Sequence, residues 1–169
     1  MTDELVDIVD DDDTVIATVT RAEMRAKRLQ HRSVGIAVLS SDGRLLIHRR
    51  SADKDIWPCW WDIAAGGVVT AGETYDEAAR RELAEELGVV GVEVDYLGHL
   101  HYVDEQLATL CRGYRVVHDG PFTFDDGEIV ETRWVTFAEL EAMRATHRFL
   151  PDSLALLIPL LEGFSGLEG

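Results

Sequence analysis

The sequence predicts an α/β fold in which helices cover both faces of a mixed β-sheet, and three observations support this prediction. Segments of strand-like composition alternate along the chain with three or four helical segments. Short turns join some strands and longer connections join others, which is typical of a sheet with both parallel and antiparallel pairs. The 169 residues, 46% of them apolar, are enough for one hydrophobic core, so we expect a single domain over residues 1–169.

The first 30 residues predict an N-terminal extension made of a β-hairpin and a short helix. Two strand-like stretches flank an acidic turn, and a threonine three residues before a glutamate then has the spacing of a helix-capping box. The predicted strands are residues 5–9 and 15–19, the turn is residues 10–13, and the helix runs from Thr20 to about Leu29.

A second hairpin is predicted between residues 33 and 50, at the centre of the sheet. Two apolar stretches, SVGIAVL and RLLIHRR, flank the turn sequence Ser41-Asp42-Gly43, in which glycine tolerates the positive φ of a tight turn. A tryptophan-rich loop then leads through a short strand to Gly66 and Gly67.

The second half of the chain predicts three more strands and three helices. Thr74 with Glu77 has the spacing of a second capping box and Thr136 with Glu139 that of a third, while Gly88 is placed to end the first of these helices. We predict helices at residues 74–87, 136–145 and 152–162, the last bent or shortened by Pro159, and strands at residues 92–102, 107–118 and 132–135.

The net charge excludes one class of partner. Thirty-two acidic and 16 basic residues give a formal charge of −16, which repels the phosphate backbone of a nucleic-acid polymer. A small phosphorylated substrate is compatible with this charge only where bound cations or a few placed arginines cancel the repulsion. We therefore expect a small-molecule ligand and no nucleic acid.

The sequence also predicts a soluble, cytoplasmic protein without membrane association. The acidic N-terminal segment does not resemble a secretory signal, and the longest apolar run, residues 154–161, is much shorter than the roughly 20 residues that span a bilayer. Cys59 and Cys111 are too few for a disulfide framework and do not have zinc-site spacing.

Three glutamates on the helix that begins at Thr74 are candidate metal ligands. At about 3.6 residues per turn, Glu82, Glu85 and Glu86 project within an arc of roughly 100°, beside the apolar arc that would dock on the sheet. Most glutamate-rich helix faces are simply solvated, but like charges four residues apart destabilise a helix by roughly a few tenths of a kcal/mol. A divalent cation removes that repulsion, and Mg²⁺ and Mn²⁺ prefer carboxylate oxygens.

The loop before this helix is a candidate phosphate site. The segment from Gly67 to Glu73 contains glycines near both ends and enters the helix, where backbone N–H groups and the positive end of the helix dipole favour an anion. A glycine pair before a helix is equally compatible with a simple turn. Together, however, the loop and the helix predict complementary halves of a metal and diphosphate site.

The same segment resembles a complete Nudix box. Gly67 is followed after five residues by Glu73, and after seven more by Arg81-Glu82-Leu83-Ala84-Glu85-Glu86-Leu87-Gly88-Val89, so that every specified position of the motif is filled. A chance match of this length is on the order of one in a million. The resemblance implies the Nudix α/β/α sandwich with a mixed sheet, and the activity of a Nudix hydrolase, a pyrophosphohydrolase that acts on acid anhydrides in phosphorus-containing compounds.

The resemblance also implies roles for single residues. Glu82, Glu85 and Glu86 would be catalytic residues and ligands of Mg²⁺ or Mn²⁺, and Gly67 would add its backbone carbonyl to the metal site. Either Glu82 or Glu86 would accept the proton of the attacking water, and the sequence leaves this choice open. Members of the family are often dimers, so a homodimer is a candidate assembly.

Further residues complete the implied site. Glu73 with Arg81 would brace the loop and the helix. Nudix proteins usually draw one more acidic ligand from a loop beyond the motif, and Glu128 or Glu131, ahead of Trp134, are the candidates. We favour Glu128 as a metal ligand, with an exposed loop acid as the alternative interpretation.

The stretch from about Leu5 to Glu73 is similar to a Nudix subgroup whose N-terminal half is shared with isopentenyl diphosphate isomerase, which makes that enzyme a rival prediction. The similarity lies in TVIATVTRAEM, LQHRSVGIAVL, GRLLIHRRSADKDIWP and WWD. In the isomerase, a catalytic cysteine and a metal-binding histidine follow the tryptophan that matches Trp61, and the corresponding positions here are Gly66 and Val68. Of the two histidines that the isomerase uses earlier in its chain, the second is matched by His31, while Met24 stands at the position of the first. The sequence therefore favours shared ancestry with hydrolytic chemistry.

Contacts with the substrate are less well defined. Arg49 and Arg50, at the end of a predicted strand, can reach a substrate phosphate or form ordinary salt bridges. Trp60, with Trp57 and Trp61, can stack on a base, although such side chains more often pack against a sheet. The predicted substrate is a diphosphate, either a nucleoside diphosphate derivative or a nucleotide.

A third hypothesis is a ligand-binding domain that keeps the Nudix fold without catalysis. A protein that only binds its ligand has no need of three crowded glutamates, so the intact set favours an enzyme.

Overall fold

Residues 3–162 of the chain are described by a computed structural model, in which a nine-stranded mixed sheet is flanked by four helices. Every strand and helix that the sequence predicts is present, and the single short strand predicted before Gly67 is two strands. In chain order the elements are β1 (Leu5–Val9), β2 (Val15–Thr20), α1 (Arg21–Lys27), β3 (His31–Leu39), β4 (Leu45–Arg50), β5 (Trp61–Asp62), β6 (Ala65–Val68), α2 (Tyr75–Leu87), β7 (Asp95–Val103), β8 (Ala108–Val117), β9 (Ile129–Val135), α3 (Phe137–Arg144) and α4 (Pro151–Leu161).

The sheet is organised around β3, and its two faces carry separate apolar clusters. Side chains alternate along a strand, so Val34, Ile36 and Val38 lie on one face of β3, where they pack with buried residues of α2. Ala37 and Leu39 lie on the opposite face, where they pack with buried residues of α4. Helices therefore cover both faces of the sheet, and the predicted α/β class with an α/β/α sandwich is confirmed.

The predicted central hairpin is wrong beyond its turn. The turn itself forms, since Gly43 has a φ of 85° and its N–H donates to the carbonyl of Ser40. The two strands, however, pair only at Leu39 and Leu45. β8 pairs in parallel along the whole of one edge of β3. The other edge is shared by β1, β6 and β4. β4 therefore pairs with β3 only at the residue next to the turn, and it pairs mainly with β9.

Helix ends differ from the prediction where local backbone geometry determines the first or last residue of the helix. Arg28 has a φ of 51°, in the left-handed region, and ends α1 two residues early. α4 begins at Pro151, a position where the helix does not need a backbone N–H donor. The helix continues through Pro159 and ends at Leu161. None of the helices between residues 3 and 162 is long and apolar enough to cross a membrane.

The N-terminal extension forms as predicted and joins the main sheet. β1 and β2 pair antiparallel, and β1 also pairs with β3 through Ile8 and His31. Met24 of α1 is buried in an apolar cluster with residues of β1 and β6. Arg21 and Arg25 of the same helix bond to Asp55 in the loop after β4, so the extension contributes to the wall of the cleft described below.

Candidate active site

The register of α2 is fixed by its first turn and by its apolar face. Thr74 accepts a hydrogen bond from the backbone N–H of Glu77 at 3.1 Å, and the Glu77 carboxylate accepts one from the N–H of Thr74 at 2.9 Å, which completes the predicted capping box. Ala79, Leu83 and Leu87 are buried against the sheet, as predicted. Because this face is anchored, the neighbouring arc with the glutamates is held beside β6.

Two glycines of β6 let its backbone approach these glutamates closely. A Cβ atom at Gly67 would lie 2.6 Å from Oε1 of Glu82, well inside van der Waals contact. The N–H of Gly66 donates to Oε2 of Glu86 at 3.4 Å. A side chain on β6 would therefore fill the space that the Glu82 carboxylate occupies.

Glu82 and Glu86 form a buried carboxylate pair. Their exposed fractions are 8% and 5%, in a class of residue that is rarely buried without a partner. Burial raises the pKa of Glu82, against the opposing effect of Arg81. Burial, and then the charge of Glu82, raise the pKa of Glu86 well above its ordinary value. The pair is therefore poorly compensated when both carboxylates are charged, and a cation would relieve it.

Arg81 connects the loop of the Nudix-like segment to the helix. Its guanidinium bonds to both carboxylate oxygens of Glu73, at 2.8 and 2.9 Å, in the bidentate geometry that arginine favours. The same group donates to Glu82 at 2.8 Å, to Glu85 at 3.2 Å and to the carbonyl of Val68 at 3.1 Å. The predicted bracing pair is thus in contact, and Glu85, the most exposed of the three helix glutamates, is drawn toward the same guanidinium.

The loop before α2 does not form the predicted phosphate cradle. Its backbone N–H groups are already used inside the protein, because they bridge the loop to itself and to β1 and β3. The six consecutive N–H groups from Val69 to Thr74 donate to Arg32, Glu73, Leu5, Asp7, Thr70 and Glu77. An anion would have to displace these bonds, so this prediction is wrong.

A wide cleft of about 810 Å³ opens in front of the glutamates. It is strongly acidic, since carboxylates far outnumber cations along its walls. The carboxylates are Glu4, Asp53, Asp55, Glu82, Glu85, Glu86, Asp125, Asp126 and Glu128, and the cations are Arg21, Lys54 and Arg81. A phosphorylated ligand in this cleft requires additional positive charge.

The structure separates the two candidates for the additional acidic ligand. Glu128 lines the cleft, where its carboxylate accepts a hydrogen bond from Lys54 at 2.9 Å, and its charge helps to raise the pKa of Glu82 and Glu86. Glu131 instead pairs with Arg49 at 3.3 Å and with Arg133 at 3.0 Å, away from the cleft lining. Glu128 is therefore the residue that the fold brings to the helix glutamates.

The residues predicted to contact the substrate, Arg49, Arg50 and Trp60, also lie in different places. Arg49 lies beside Glu131, in an ordinary salt bridge outside the cleft. Arg50 is mostly buried, donates to the carbonyl of Ile56 at 3.2 Å and lines a smaller cavity next to the cleft. Trp60 is half-buried and stacks on Trp57 with 6.0 Å between ring centroids, which agrees with a packing role.

The donor set fits a hard divalent cation, although it is not already arranged around one. Within residues 3–162 no three acidic, histidine or cysteine side chains converge on a ready-made metal position. Glu82 is turned toward Arg81, and Glu86 toward the N–H of Gly66. Two buried carboxylates with raised pKa values, beside a backbone that lacks side chains, nevertheless supply oxygen donors at one place.

Asp55, Arg21 and Arg25 also reach the cleft or the cavity beside it, and the sequence did not predict them. Asp55 accepts hydrogen bonds from Nε of Arg21 at 3.2 Å and from Nε of Arg25 at 3.0 Å. Burial would raise the pKa of Asp55, but Arg25 and Arg21 hold it at about 2. The spacing of the two arginines on one face of the predicted helix was a usable signal, whereas their contact with Asp55 depends on the fold.

Comparison with known proteins places this site in a family. The model of the NUDIX domain matches residues 29–155. An uncharacterised Nudix hydrolase of Yersinia pestis is 42% identical over 154 residues, which are 91% of this chain and 84% of the relative. An uncharacterised Nudix hydrolase of Escherichia coli K12 is 40% identical over the same shares of the two chains.

A solved structure supports the same assignment. The crystal structure of a Deinococcus radiodurans protein is similar with a TM-score of 0.77 and 30% sequence identity, and the match covers 88% of this chain and 94% of that one. The helix glutamates, the bracing pair and the glycines of β6 all lie within the matched residues. The chain belongs to the Nudix hydrolase family.

Proposed function

We propose that this Nudix hydrolase cleaves a diphosphate linkage in a small phosphorylated molecule, a nucleoside diphosphate derivative or a nucleotide, with Mg²⁺ or Mn²⁺ as its cofactor. The observation that carries the proposal is the buried pair of Glu82 and Glu86, set against the bare backbone of Gly67 at the head of the cleft. A buried carboxylate pair is costly unless a cation compensates it, and oxygen donors favour a hard cation.

The residues that would hold the ion are Glu82, Glu85 and Glu86, together with the carbonyl of Gly67 and the carboxylate of Glu128. A divalent ion bound there supplies the charge that neutralises the diphosphate oxygens and acidifies the attacking water. Glu82 or Glu86 accepts the proton of that water, and both are oriented beforehand, the first by Arg81 and the second by Gly66.

Two structural features support a hydrolase over an enzyme like isopentenyl diphosphate isomerase. Met24, at the place of one isomerase histidine, is buried among apolar side chains. His31, at the place of the other, is also buried, and burial lowers its pKa to about 4, while its Nδ1 lies 3.0 Å from the carbonyl of Leu29. Met24 therefore packs the N-terminal extension, and His31 lies in the wall of the smaller cavity as a buried imidazole bonded to the backbone.

The proposal is tested by incubating the full chain with Mg²⁺ and a panel of nucleoside diphosphates, nucleoside triphosphates, nucleotide sugars and prenyl diphosphates. We expect phosphate-containing products from at least one nucleotide, loss of turnover with a chelator, and recovery with added Mg²⁺ or Mn²⁺. No turnover by metal-loaded protein would favour the ligand-binding domain. Conversion of isopentenyl diphosphate to its allylic isomer would favour the isomerase.

Glu128 and Glu131 provide a matched pair of variants. We expect Glu128→Gln to lower kcat/KM by about tenfold or more, because it removes a charge that faces the helix glutamates. Glu131→Gln should leave kcat/KM within about twofold of the wild type, because its partners lie outside the cleft. Steady-state kinetics of the two variants decide the assignment, and equal losses would contradict it.

A further inference from the structure

A small cavity of about 80 Å³ lies next to the acidic cleft. The two spaces share Arg21, Lys54, Gly66 and Gly67 in their walls, so the cavity adjoins the head of the cleft where the carboxylate pair lies. Its volume is several times the roughly 10–15 Å³ that one water molecule requires. The cavity therefore has room for a group with several oxygen atoms.

The charge of this cavity is opposite to that of the cleft. Four cationic side chains, Arg21, Arg25, Arg50 and Lys54, line it, against the carboxyl groups of Asp62 and Asp152. Each cation also has a carboxylate neighbour, since Arg21 and Arg25 share Asp55, Arg50 lies 3.9 Å from Asp62, and Lys54 pairs with Glu128. Burial, and then the charge of Asp62, raise the pKa of Asp152 to about 7, which reduces the negative charge in the cavity near neutral pH. An anion is therefore attracted into a space that also has apolar walls, where charge interactions are stronger than in water.

Hydrogen-bond donors of the arginines remain available in this cavity. Arg21 and Arg25 both contact Asp55 through Nε, and neither terminal nitrogen of Arg25 donates to a residue between positions 3 and 162. The Nε of Arg50 is buried and has no hydrogen-bond partner in the part of the chain that the structure describes. That nitrogen has almost no accessible surface, so the terminal nitrogens of Arg25 are the donors that an anion in the cavity can reach.

The backbone cannot replace these arginines as an anion site. The N–H groups of the loop before α2 are bonded within the protein from Val69 to Thr74. The cations of the cleft are also paired, Lys54 with Glu128 and Arg81 with Glu73 and Glu82. Donors without an acceptor between residues 3 and 162 are found at the terminal nitrogens of Arg25, which lines the cavity.

We propose that this basic cavity binds the terminal phosphate of the substrate, so that the enzyme prefers diphosphates and triphosphates that end in a free phosphate. The inference rests on the proposed hydrolase function. A terminal phosphate carries about −1.5 to −2 charges near pH 7, more than a phosphate esterified on both sides, and it presents three oxygens to the guanidinium groups. Nucleotide sugars, whose phosphates are all esterified, gain less from the cavity.

Arg25→Gln tests the preference, because Arg25 lines the cavity and is absent from the lining of the cleft. A nucleoside diphosphate is compared with the nucleotide sugar built on it. We expect the variant to lower kcat/KM for the nucleoside diphosphate by about tenfold or more, and to change kcat/KM for the nucleotide sugar by less than about twofold. Equal losses for both substrates, or no loss, would overturn the proposal.

A binding measurement separates this proposal from the hydrolase function. Isothermal titration of inorganic phosphate into the full chain, in the presence of a chelator, should show binding that Arg25→Gln weakens by about tenfold. Lys27→Gln is the matched control, since Lys27 lies on the same helix, is exposed and pairs with Glu23. This control should bind phosphate as the wild type does. Binding that is absent, or insensitive to Arg25→Gln, would overturn the cavity as an anion site.

The two proposals then fail in different ways. If the enzyme hydrolyses nucleotides but phosphate binding does not depend on Arg25, the hydrolase function stands and the cavity is not part of its substrate site. Arg25-dependent phosphate binding without turnover of any substrate would retain the anion site and remove the hydrolase. Arg25→Lys, which keeps the charge but loses the planar set of donors, should bind phosphate more weakly than the wild type and more tightly than Arg25→Gln. Arg21→Gln tests the same cavity if Arg25→Gln does not fold.

Discussion

Glu86→Gln is expected to reduce kcat/KM by about a hundredfold or more while leaving the fold intact. The substitution removes a carboxylate from the proposed metal site and keeps the shape of the side chain. It also removes a buried charge that Glu82 repels, so the free energy of unfolding without metal should not fall. We expect the melting temperature at pH 7 to rise by about 2–4 °C, the shift that roughly 1 kcal/mol produces in a chain of this size.

Glu93→Gln is the control for this experiment, because Glu93 is an exposed residue in the loop between α2 and β7. Kinetics and thermal unfolding of both variants should show a loss of activity for Glu86→Gln alone. Near-normal activity of Glu86→Gln would remove Glu86 from the site. Loss of activity together with a large loss of stability would assign it a structural role instead.

Gly67→Ala is expected to lower kcat/KM by about tenfold or more with little change in stability. The added Cβ would lie 2.6 Å from Oε1 of Glu82, so the carboxylate has to move away from β6. That movement costs little energy, because the clash involves the end of a flexible side chain, but it takes a proposed ligand out of position. Steady-state kinetics and thermal unfolding of the same preparation check both parts of the prediction.

Gly91→Ala serves as the control, because it is expected to lower stability and leave activity unchanged. Gly91 has a φ of 70°, an added Cβ would meet no atom within 4 Å, and the residue lies in a loop away from the cleft. An alanine there is strained and should cost about 1 kcal/mol of stability without changing kcat/KM. Normal activity of Gly67→Ala would show that the approach of β6 to Glu82 has no part in catalysis.

The helix glutamates could be predicted from the sequence because local rules determine their placement. The capping box at Thr74 fixes where α2 begins, Gly88 fixes where it ends, and the apolar positions fix which face is buried. With those three constraints, Glu82 and Glu86 can project only toward the edge of the buried face. The Nudix-like spacing then identified the family.

Features that depend on contacts between distant parts of the chain could not be predicted from the same local rules. The hairpin at Gly43 separates after one pair because β8 and β9 provide longer partners from far along the chain. The loop before α2 has the composition of a phosphate site, but its N–H groups are bonded to β1 and to itself. The basic cavity combines α1 with the loop after β4, and only the fold brings Arg25 to Asp55.

The proposed hydrolysis depends on a divalent ion held by Glu82 and Glu86, and crystallography can locate that ion. Crystals of the full chain grown with Mn²⁺ allow the ion to be found by its anomalous scattering. We expect an anomalous peak between Glu82, Glu86 and the carbonyl of Gly67. Two well-ordered carboxylates with no peak beside them, or a peak only at another place on the surface, would rule out a metal site at this pair.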